Sequence, residues 1–173
     1  MMRRGFTVVE LVITITIMGI LLTLAVVNLN STQANGRDAE RKGDAENIAL
    51  HLESFYDNYD PALGASGGTY LDTSRINEAQ LKQALPDLEA KNLRAPGVDT
   101  PQPISLVAAT NNLTTVTTIL PRPSSSNDVY VYQPLNANDA LCVSASTQEC
   151  RRFIIYYYQE SDNTVQMVMS KNQ

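Results

Sequence analysis

The most conspicuous chemical group near the start of the chain is an acid inside an apolar segment. Between residues 6 and 29 the only charged residue is Glu10. A carboxylate in the apolar interior of a membrane costs about 2.5–3.5 kcal/mol, so a residue of this kind is by default functional and needs a partner. The same segment contains no Lys, Arg or His. We therefore expect the partner of Glu10 to lie on another molecule.

The remaining polar residues do not form a recognisable catalytic or metal-binding pattern. His51 is the only histidine, and one histidine beside a helix is usually a packed or solvated side chain. No serine stands in a Gly-x-Ser-x-Gly elbow. Acidic and amide side chains at 136–139 and 162–163 can supply the oxygen ligands that calcium takes, but turn formation explains them equally well. We predict no catalytic residue, no metal and no cofactor, and hence no enzyme.

The segment that carries Glu10 is long enough to span a membrane. A helix over residues 6–29 is roughly 36 Å long, against a bilayer core of about 30 Å. Arg3 and Arg4 precede it, which keeps the short N-terminus cytoplasmic and places everything after Leu29 outside. The apolar run exceeds the 7–15 residues or so of a secretory signal and no Ala-x-Ala site closes it.

The helix is expected to continue beyond the membrane, to Tyr59. Asp38 and Lys42 stand four residues apart with the acid first, which favours an ion pair on a helix. Apolar residues then recur at three- and four-residue steps, at Ala45, Ile48, Ala49, Leu52, Phe55, Tyr56 and Tyr59. Pro61 ends the pattern. We divide the chain into residues 6–30, bare and apolar all round, residues 31–60, with one apolar face, and a globular domain at 61–173.

The globular domain is predicted to combine a short helix with an antiparallel sheet, which gives an α+β fold. The spacing predicts a helix over 76–85, capped by Asp72, Thr73 or Ser74. Strands are predicted at 129–132, closed by Pro134, and at 140–144, 152–159 and 164–169, with a further candidate at 110–118 and a break at 121–128. In the last strand Val165, Met167 and Met169 share one face, expected to lie on α-helical residues 45–59. In the preceding strand Ile155 and Tyr157 share one face, and Tyr156 and Tyr158 the other.

Two further features concern the environment of this domain. Cys142 and Cys150 are the only cysteines, and on the outer side of a membrane they are expected to form a disulfide bond. A disulfide bond that closes a loop of nine residues stabilises the folded domain by about 2–3 kcal/mol, because it restricts the conformational entropy of the unfolded chain. The net charge of the 173-residue chain is −5, so we expect the bulk of the protein to bind no nucleic acid, since that binding relies on Lys and Arg.

The N-terminal residues resemble the type IV pilin family, which includes the pseudopilins of secretion machines. The pattern is the run from Gly5 to Leu11, GFTVVEL, followed by the apolar run VITITIMGILL. The resemblance implies that a prepilin peptidase cuts after Gly5, releasing residues 1–5 as a leader, and methylates the new amine of Phe6. It also implies that Glu10 pairs with that amine on a neighbouring subunit, and that the fold is pilin-like. Many members carry a proline near the position of Val27, and this chain does not.

The resemblance implies a structural subunit of a type IV pilus-like filament, used for adhesion, motility or DNA uptake. Its partners would be further copies in a helical homo-oligomer, the prepilin peptidase and the inner-membrane assembly platform. The protein would lie in the cytoplasmic membrane before assembly, with its C-terminus outside, and in a surface filament afterwards. Two alternatives stay open: a pseudopilin or minor subunit of a type II secretion-like machine, and a monomeric membrane-anchored binding domain.

Overall fold

One long helix, α1, runs from Val8 to Asp57 in the computed structural model, which describes residues 5–58, 67–97, 105–112, 129–144 and 149–172. The predicted continuous helix is thus confirmed. Asn58 ends α1 in an extended conformation, and its backbone N–H donates to the carbonyl oxygens of Ser54 and Phe55. Tyr59 and Pro61, at which the helix was predicted to stop, lie outside the described residues.

The two halves of α1 have different surroundings. The large apolar side chains from Val8 to Val26 for which exposure is described are at least half exposed. The apolar stripe of the second half is buried, as predicted, at Ala45, Ile48, Ala49, Leu52 and Phe55. The predicted pair of Asp38 and Lys42 is wrong, because Asp38 turns towards the globular domain while Lys42 reaches Glu46 at 3.8 Å.

The helix predicted over 76–85 is present but shorter, and a 3₁₀ helix lies on either side of it. A 3₁₀ helix spans Thr73–Arg75, α2 spans Glu78–Ala84, and a second 3₁₀ helix spans Ala90–Leu93. Asp72 caps the first by accepting from the Ser74 N–H at 2.8 Å, and Asn77 caps α2 by accepting from the Gln80 N–H at 3.0 Å. Because Asn77 binds the backbone in an extended conformation, it separates the two helices.

Four strands form one sheet in the order β1-β2-β3-β4. Their bounds are Leu106–Ala108, Tyr130–Asn136, Cys150–Gln159 and Thr164–Met169. Strands β2, β3 and β4 are antiparallel as predicted, but β1 runs parallel to β2, so the sheet is mixed. The chain between β1 and β2 is longer than the dozen or so residues that a parallel connection needs. Within it, residues 113–128 lie outside the described residues, and with them most of the predicted strand at 110–118 and the break at 121–128.

Pro134 does not close β2, and residues 140–144 do not form a strand. A proline has no backbone N–H to donate to a neighbouring strand. This does not disturb the sheet at Pro134, because β1 ends at Ala108, opposite Tyr132, and therefore does not reach Pro134. On that side the Pro134 carbonyl accepts instead from the Cys142 N–H at 2.9 Å. The only β-pairing described within residues 140–144 is an isolated bridge between Leu135 and Leu141.

The inner face of the sheet packs on the second half of α1. It contributes the buried side chains Tyr130, Tyr132, Phe153, Ile155 and Tyr157 to the main core. The alternation predicted for β3 is confirmed, since Tyr156 and Tyr158 belong to a separate cluster on the outer face. The face predicted for β4 is wrong: Met167 pairs with Tyr156 across the strands, so it lies on the outer face and is 50% exposed, while Val168 packs against the core.

Cys142 and Cys150 form a disulfide bond inside the core. Both side chains are fully buried, and their Cα atoms are 5.7 Å apart. The Cys142 carbonyl accepts from the Thr73 N–H at 3.2 Å, and the Cys150 carbonyl accepts from the Tyr70 N–H at 2.8 Å. The disulfide bond therefore connects the start of β3 to the segment after β2, and these backbone hydrogen bonds connect both cysteines to the segment that follows α1.

Candidate functional site at the N-terminus of the first helix

The first turn of α1 is a capping box formed by Thr7 and Glu10. The Thr7 hydroxyl oxygen accepts from the Glu10 N–H at 3.3 Å. In return, Oε2 of Glu10 accepts from the Thr7 N–H at 2.9 Å and from the Thr7 hydroxyl at 2.7 Å. These bonds satisfy two backbone N–H groups that the start of a helix otherwise leaves without partners. The negative carboxylate also lies at the positive end of the helix dipole.

The capping box leaves part of the carboxylate available. Both contacts from Thr7 fall on Oε2, and Oε1 of Glu10 has no hydrogen-bond partner among the described residues. Glu10 is exposed at the surface of the single chain. The carboxylate can thus cap its own helix and accept a donor from outside at the same time.

Gly5 and Phe6 precede the helix in an accessible segment. Phe6 is 88% exposed, and Gly5 is exposed as well. A Cβ added to Gly5 would have no atom within 4 Å. The fold of this chain therefore places no requirement for glycine at position 5, and any such requirement comes from another protein that acts on this segment.

The apolar part of α1 is suited to a membrane. An 18-residue window of the helix is apolar enough to span one, and none of that window is buried inside the protein. Three threonines interrupt the apolar sequence, and each hydroxyl donates within the helix: Thr14 to the Leu11 carbonyl, Thr16 to that of Val12 and Thr23 to that of Ile20, at 2.7–2.8 Å. With their hydroxyls satisfied in this way, these threonines are compatible with lipid.

A second polar cluster fixes α1 to the turn between β3 and β4 where the globular domain begins. The Asp38 carboxylate accepts from the backbone N–H groups of Glu160 and Ser161 at 2.7 and 2.8 Å, and from Nη1 of Arg41 at 2.9 Å. Arg37 binds both carboxylate oxygens of Glu160, at 2.6 and 2.9 Å. We call Arg37, Asp38, Arg41 and Glu160 the helix–hairpin cluster.

Electrostatics in the helix–hairpin cluster favour the charged forms of its acids. Burial by itself raises the pKa of Asp38, but the two backbone donors, the Ser161 hydroxyl and the Arg41 guanidinium together lower the pKa below its ordinary value. The hydrogen bonds from Arg37 lower the pKa of Glu160 despite its partial burial. Both acids are thus ionised near neutral pH, and the cluster holds the helix and the hairpin together.

The structure brings some of the residues singled out from the sequence together and keeps others apart. The described hydrogen bonds to the Glu10 carboxylate all come from Thr7, and none comes from Phe6. Thr7 is the residue that sequence reasoning missed, although the spacing Thr-x-x-Glu before an apolar run is itself a capping-box pattern. The calcium ligands considered at 136–139 form a turn instead, in which the Asn136 side chain accepts from the N–H groups of Asn138 and Ala140. Among the described residues no three His, Cys, Asp or Glu side chains are grouped as metal ligands.

Taken together, fold and helix start define the class of protein: an α+β chain of pilin-like architecture whose bare apolar helix fits a membrane anchor. Residues 1–26 match the family model described as the prokaryotic N-terminal methylation motif. The chain therefore carries a type IV prepilin-like signal motif. Comparison with curated proteins and with solved structures gives no significant match.

Proposed function

We propose that this chain is a structural subunit of a type IV pilus-like surface filament. Residues 1–5 are the leader, residues 6–30 the membrane-spanning and assembly half of the helix, residues 31–60 the half that carries the domain, and residues 61–173 the globular domain. A prepilin peptidase cuts between Gly5 and Phe6 and methylates the Phe6 amine. The assembly platform in the inner membrane then moves the subunit from the membrane, with its C-terminus outside, into a homo-oligomeric helical filament. Catalysis is not part of this role.

The observation that carries the proposal is the state of Glu10. Its carboxylate is the only charged group within the apolar residues 6–29, and one of its oxygens has no hydrogen-bond partner among the described residues. Cleavage after Gly5 leaves a positively charged amine on Phe6 in every copy of the chain. An amine and a carboxylate attract each other far more strongly in an apolar surrounding than in water. A neighbouring copy thus supplies the partner that the chain itself lacks, and the motif over residues 1–26 supports that processing.

The exposed apolar side chains support the same proposal. A bare helix surface of this length cannot remain in water, because apolar area that stays exposed loses about 25 cal/mol per Å² relative to burial. Lipid covers it before assembly. In a filament the helices of neighbouring copies cover it instead, while the globular domains remain outside.

The first experiment replaces Glu10 by Gln and counts filaments sheared from cells that carry only the variant. We expect normal cleavage and a reduction of about tenfold or more in assembled protein, because the neutral amide keeps the shape of the side chain and loses the charge pairing. The matched control is Glu46→Gln, which neutralises an exposed acid on the same helix that faces Lys42 at 3.8 Å. Filaments of Glu10→Gln as abundant as those of the control contradict the pairing.

The second experiment tests processing through Gly5. Because a Cβ at this position meets nothing in the chain, Gly5→Ser leaves the fold intact and acts only on recognition by the peptidase. We expect the variant to accumulate in the membrane with residues 1–5 still attached, as measured by intact mass. A mature N-terminus at Phe6 in this variant speaks against the proposed cleavage.

Abundance in sheared fibres separates the proposed filament subunit from its alternatives. A major subunit dominates such fibres. A pseudopilin or minor subunit is cleaved in the same way but is scarce in them. A monomeric membrane-anchored binding domain retains Met1 and is indifferent to the charge of Glu10.

A further inference from the structure

A second acid of α1, Asp44, is buried at the contact between the helix and the sheet. Asp44 is 9% exposed, and it lies against Tyr130 of β2, which is fully buried. The Tyr130 hydroxyl donates to Oδ2 of Asp44 at 2.8 Å. This surrounding differs from that of Asp38, one turn and a half earlier, whose partners are two amides and a guanidinium. Asp44 has a single neutral phenol as its described hydrogen-bond partner.

The charged groups around the pair do not neutralise Asp44. Glu40 and Arg41 are its neighbours on α1, and Lys91 approaches from the second 3₁₀ helix. Lys91 is itself exposed and bound to Glu89 at 3.0 Å, and Arg41 is bound to Asp38 at 2.9 Å. On the inner face of β3 lies Tyr157, a buried phenol whose charged neighbours are Glu46 and Asp38. No cation forms an ion pair with Asp44 within the described part of the chain.

The folded protein therefore shifts Asp44 towards its neutral form relative to a carboxyl group in water. The pKa of Asp44 is raised from 3.8 to about 6, chiefly by burial. The negative charge of Glu40 also raises the pKa, whereas the hydrogen bond from Tyr130 and, more weakly, the positive charge of Lys91 lower it. The pKa of Asp44 in the folded protein lies above its ordinary value. The contribution of Asp44 to the free energy of unfolding is therefore complete below about pH 4 and is lost as the pH rises through about 6. Asp38 and Glu160 have lowered pKa values and stay ionised throughout that interval.

We propose that the Asp44–Tyr130 pair makes the contact between α1 and the sheet sensitive to acid, so that the globular domain holds its helix most firmly in a mildly acidic medium. The pair lies beside Ala45 and Ile48, where the buried stripe begins, and Tyr130 belongs to the same core. Ionisation above pH 6 places a charge in this contact that the domain does not compensate. The domain faces the outer medium, so the pH of that medium acts on it directly. This device is independent of whether the chain polymerises.

The test uses the full chain in micelles of a neutral detergent and follows thermal unfolding at pH 5.0 and pH 7.5. We expect the wild-type midpoint to be higher at pH 5.0 by about 3–6 °C, a figure that already discounts the partial access of water to the acid. Asp44→Asn keeps an acceptor for Tyr130 and cannot ionise. Its midpoint should exceed that of the wild type at pH 7.5 and should lose most of the difference between the two pH values.

Two measurements separate the titration of Asp44 from that of other groups in the chain. His51→Gln removes the one histidine of the chain and should leave the pH difference unchanged. A ¹³C titration of the Asp44 carboxyl in the wild type should give a midpoint near 6, and it remains informative if Asp44→Asn does not fold. A midpoint near 4, or an undiminished pH difference in Asp44→Asn, overturns the proposal.

Discussion

Replacing Asp38 by Ala should be among the most damaging single changes outside the hydrophobic core. The carboxylate satisfies the backbone N–H groups of Glu160 and Ser161 and pairs with an Arg41 side chain that is only 3% exposed. In Asp38→Ala the N–H groups of Glu160 and Ser161 each lose their acceptor. Each loss costs about 1 kcal/mol, the low end of the usual range for a buried donor, because the turn is partly open to water. Arg41 keeps its contact with Glu160, at 3.4 Å. Losing one partner of a buried pair costs about 3–5 kcal/mol when nothing replaces it.

Because Glu160 remains as a partial replacement, we expect a total loss of about 3–5 kcal/mol in the free energy of unfolding. That is a large share of the 5–15 kcal/mol or so available to a typical domain. The assay is urea unfolding of the full chain in neutral detergent, followed by tyrosine fluorescence, since the chain has eight Tyr and no Trp. The matched control is Glu46→Ala, which removes an exposed ion pair of α1 and should cost less than about 1 kcal/mol.

The pH profile distinguishes the charge of Asp38 from its shape. Its lowered pKa means that its contribution is present above the ordinary value of 3.8 and is lost as the pH falls through the folded value. The difference in stability between the wild type and Asp38→Ala should therefore be full at neutral pH and should shrink as the pH falls below 3.8. A loss within 1 kcal/mol of that of Glu46→Ala would refute our reasoning about the helix–hairpin cluster.

Three further changes test other parts of the structure. Replacing both cysteines by serine breaks a disulfide bond whose two cysteines are buried in the core and which closes a loop of nine residues. The variant should lose about 2–3 kcal/mol or more in urea unfolding, because the new hydroxyls are also buried. A loss below about 1 kcal/mol contradicts the stabilising role of the disulfide bond. Thr7→Val should reduce the amount of sheared filament while Thr7→Ser retains it, because only the serine keeps the hydroxyl that holds Glu10; equal amounts contradict this. Met167→Thr on the outer face should change the free energy of unfolding by less than about 0.5 kcal/mol. Val168→Ala on the core face should lower it by about 1–2 kcal/mol. A larger loss for Met167→Thr than for Val168→Ala contradicts the register of β4.

The parts of the fold that could be predicted are those that neighbouring residues decide. The helix α1, the hairpin of β3 and β4 and the alternation of the tyrosines follow from periodicity and turn residues a few positions apart. The capping box of Thr7 and Glu10 is equally local, since its two residues stand three positions apart and match the Thr-x-x-Glu pattern. Asn77 shows the limit of this reasoning, since its side chain competes with an otherwise helical spacing by binding the backbone.

The amino-acid sequence is sufficient to predict a bare apolar helix, a lone acid near its start and a globular domain that packs on the continuation of the same helix. Three features emerge only when the chain folds: β1 lies parallel to β2, Met167 faces outward, and Asp38 accepts from a turn 122 residues further along the chain. Asp38 and Asp44 are the same residue type on one helix, yet their surroundings lower the pKa of the first and raise that of the second. The reason is that the pKa of a carboxyl group depends on the donors, charges and water around it, and the folding of distant segments onto the helix supplies all three.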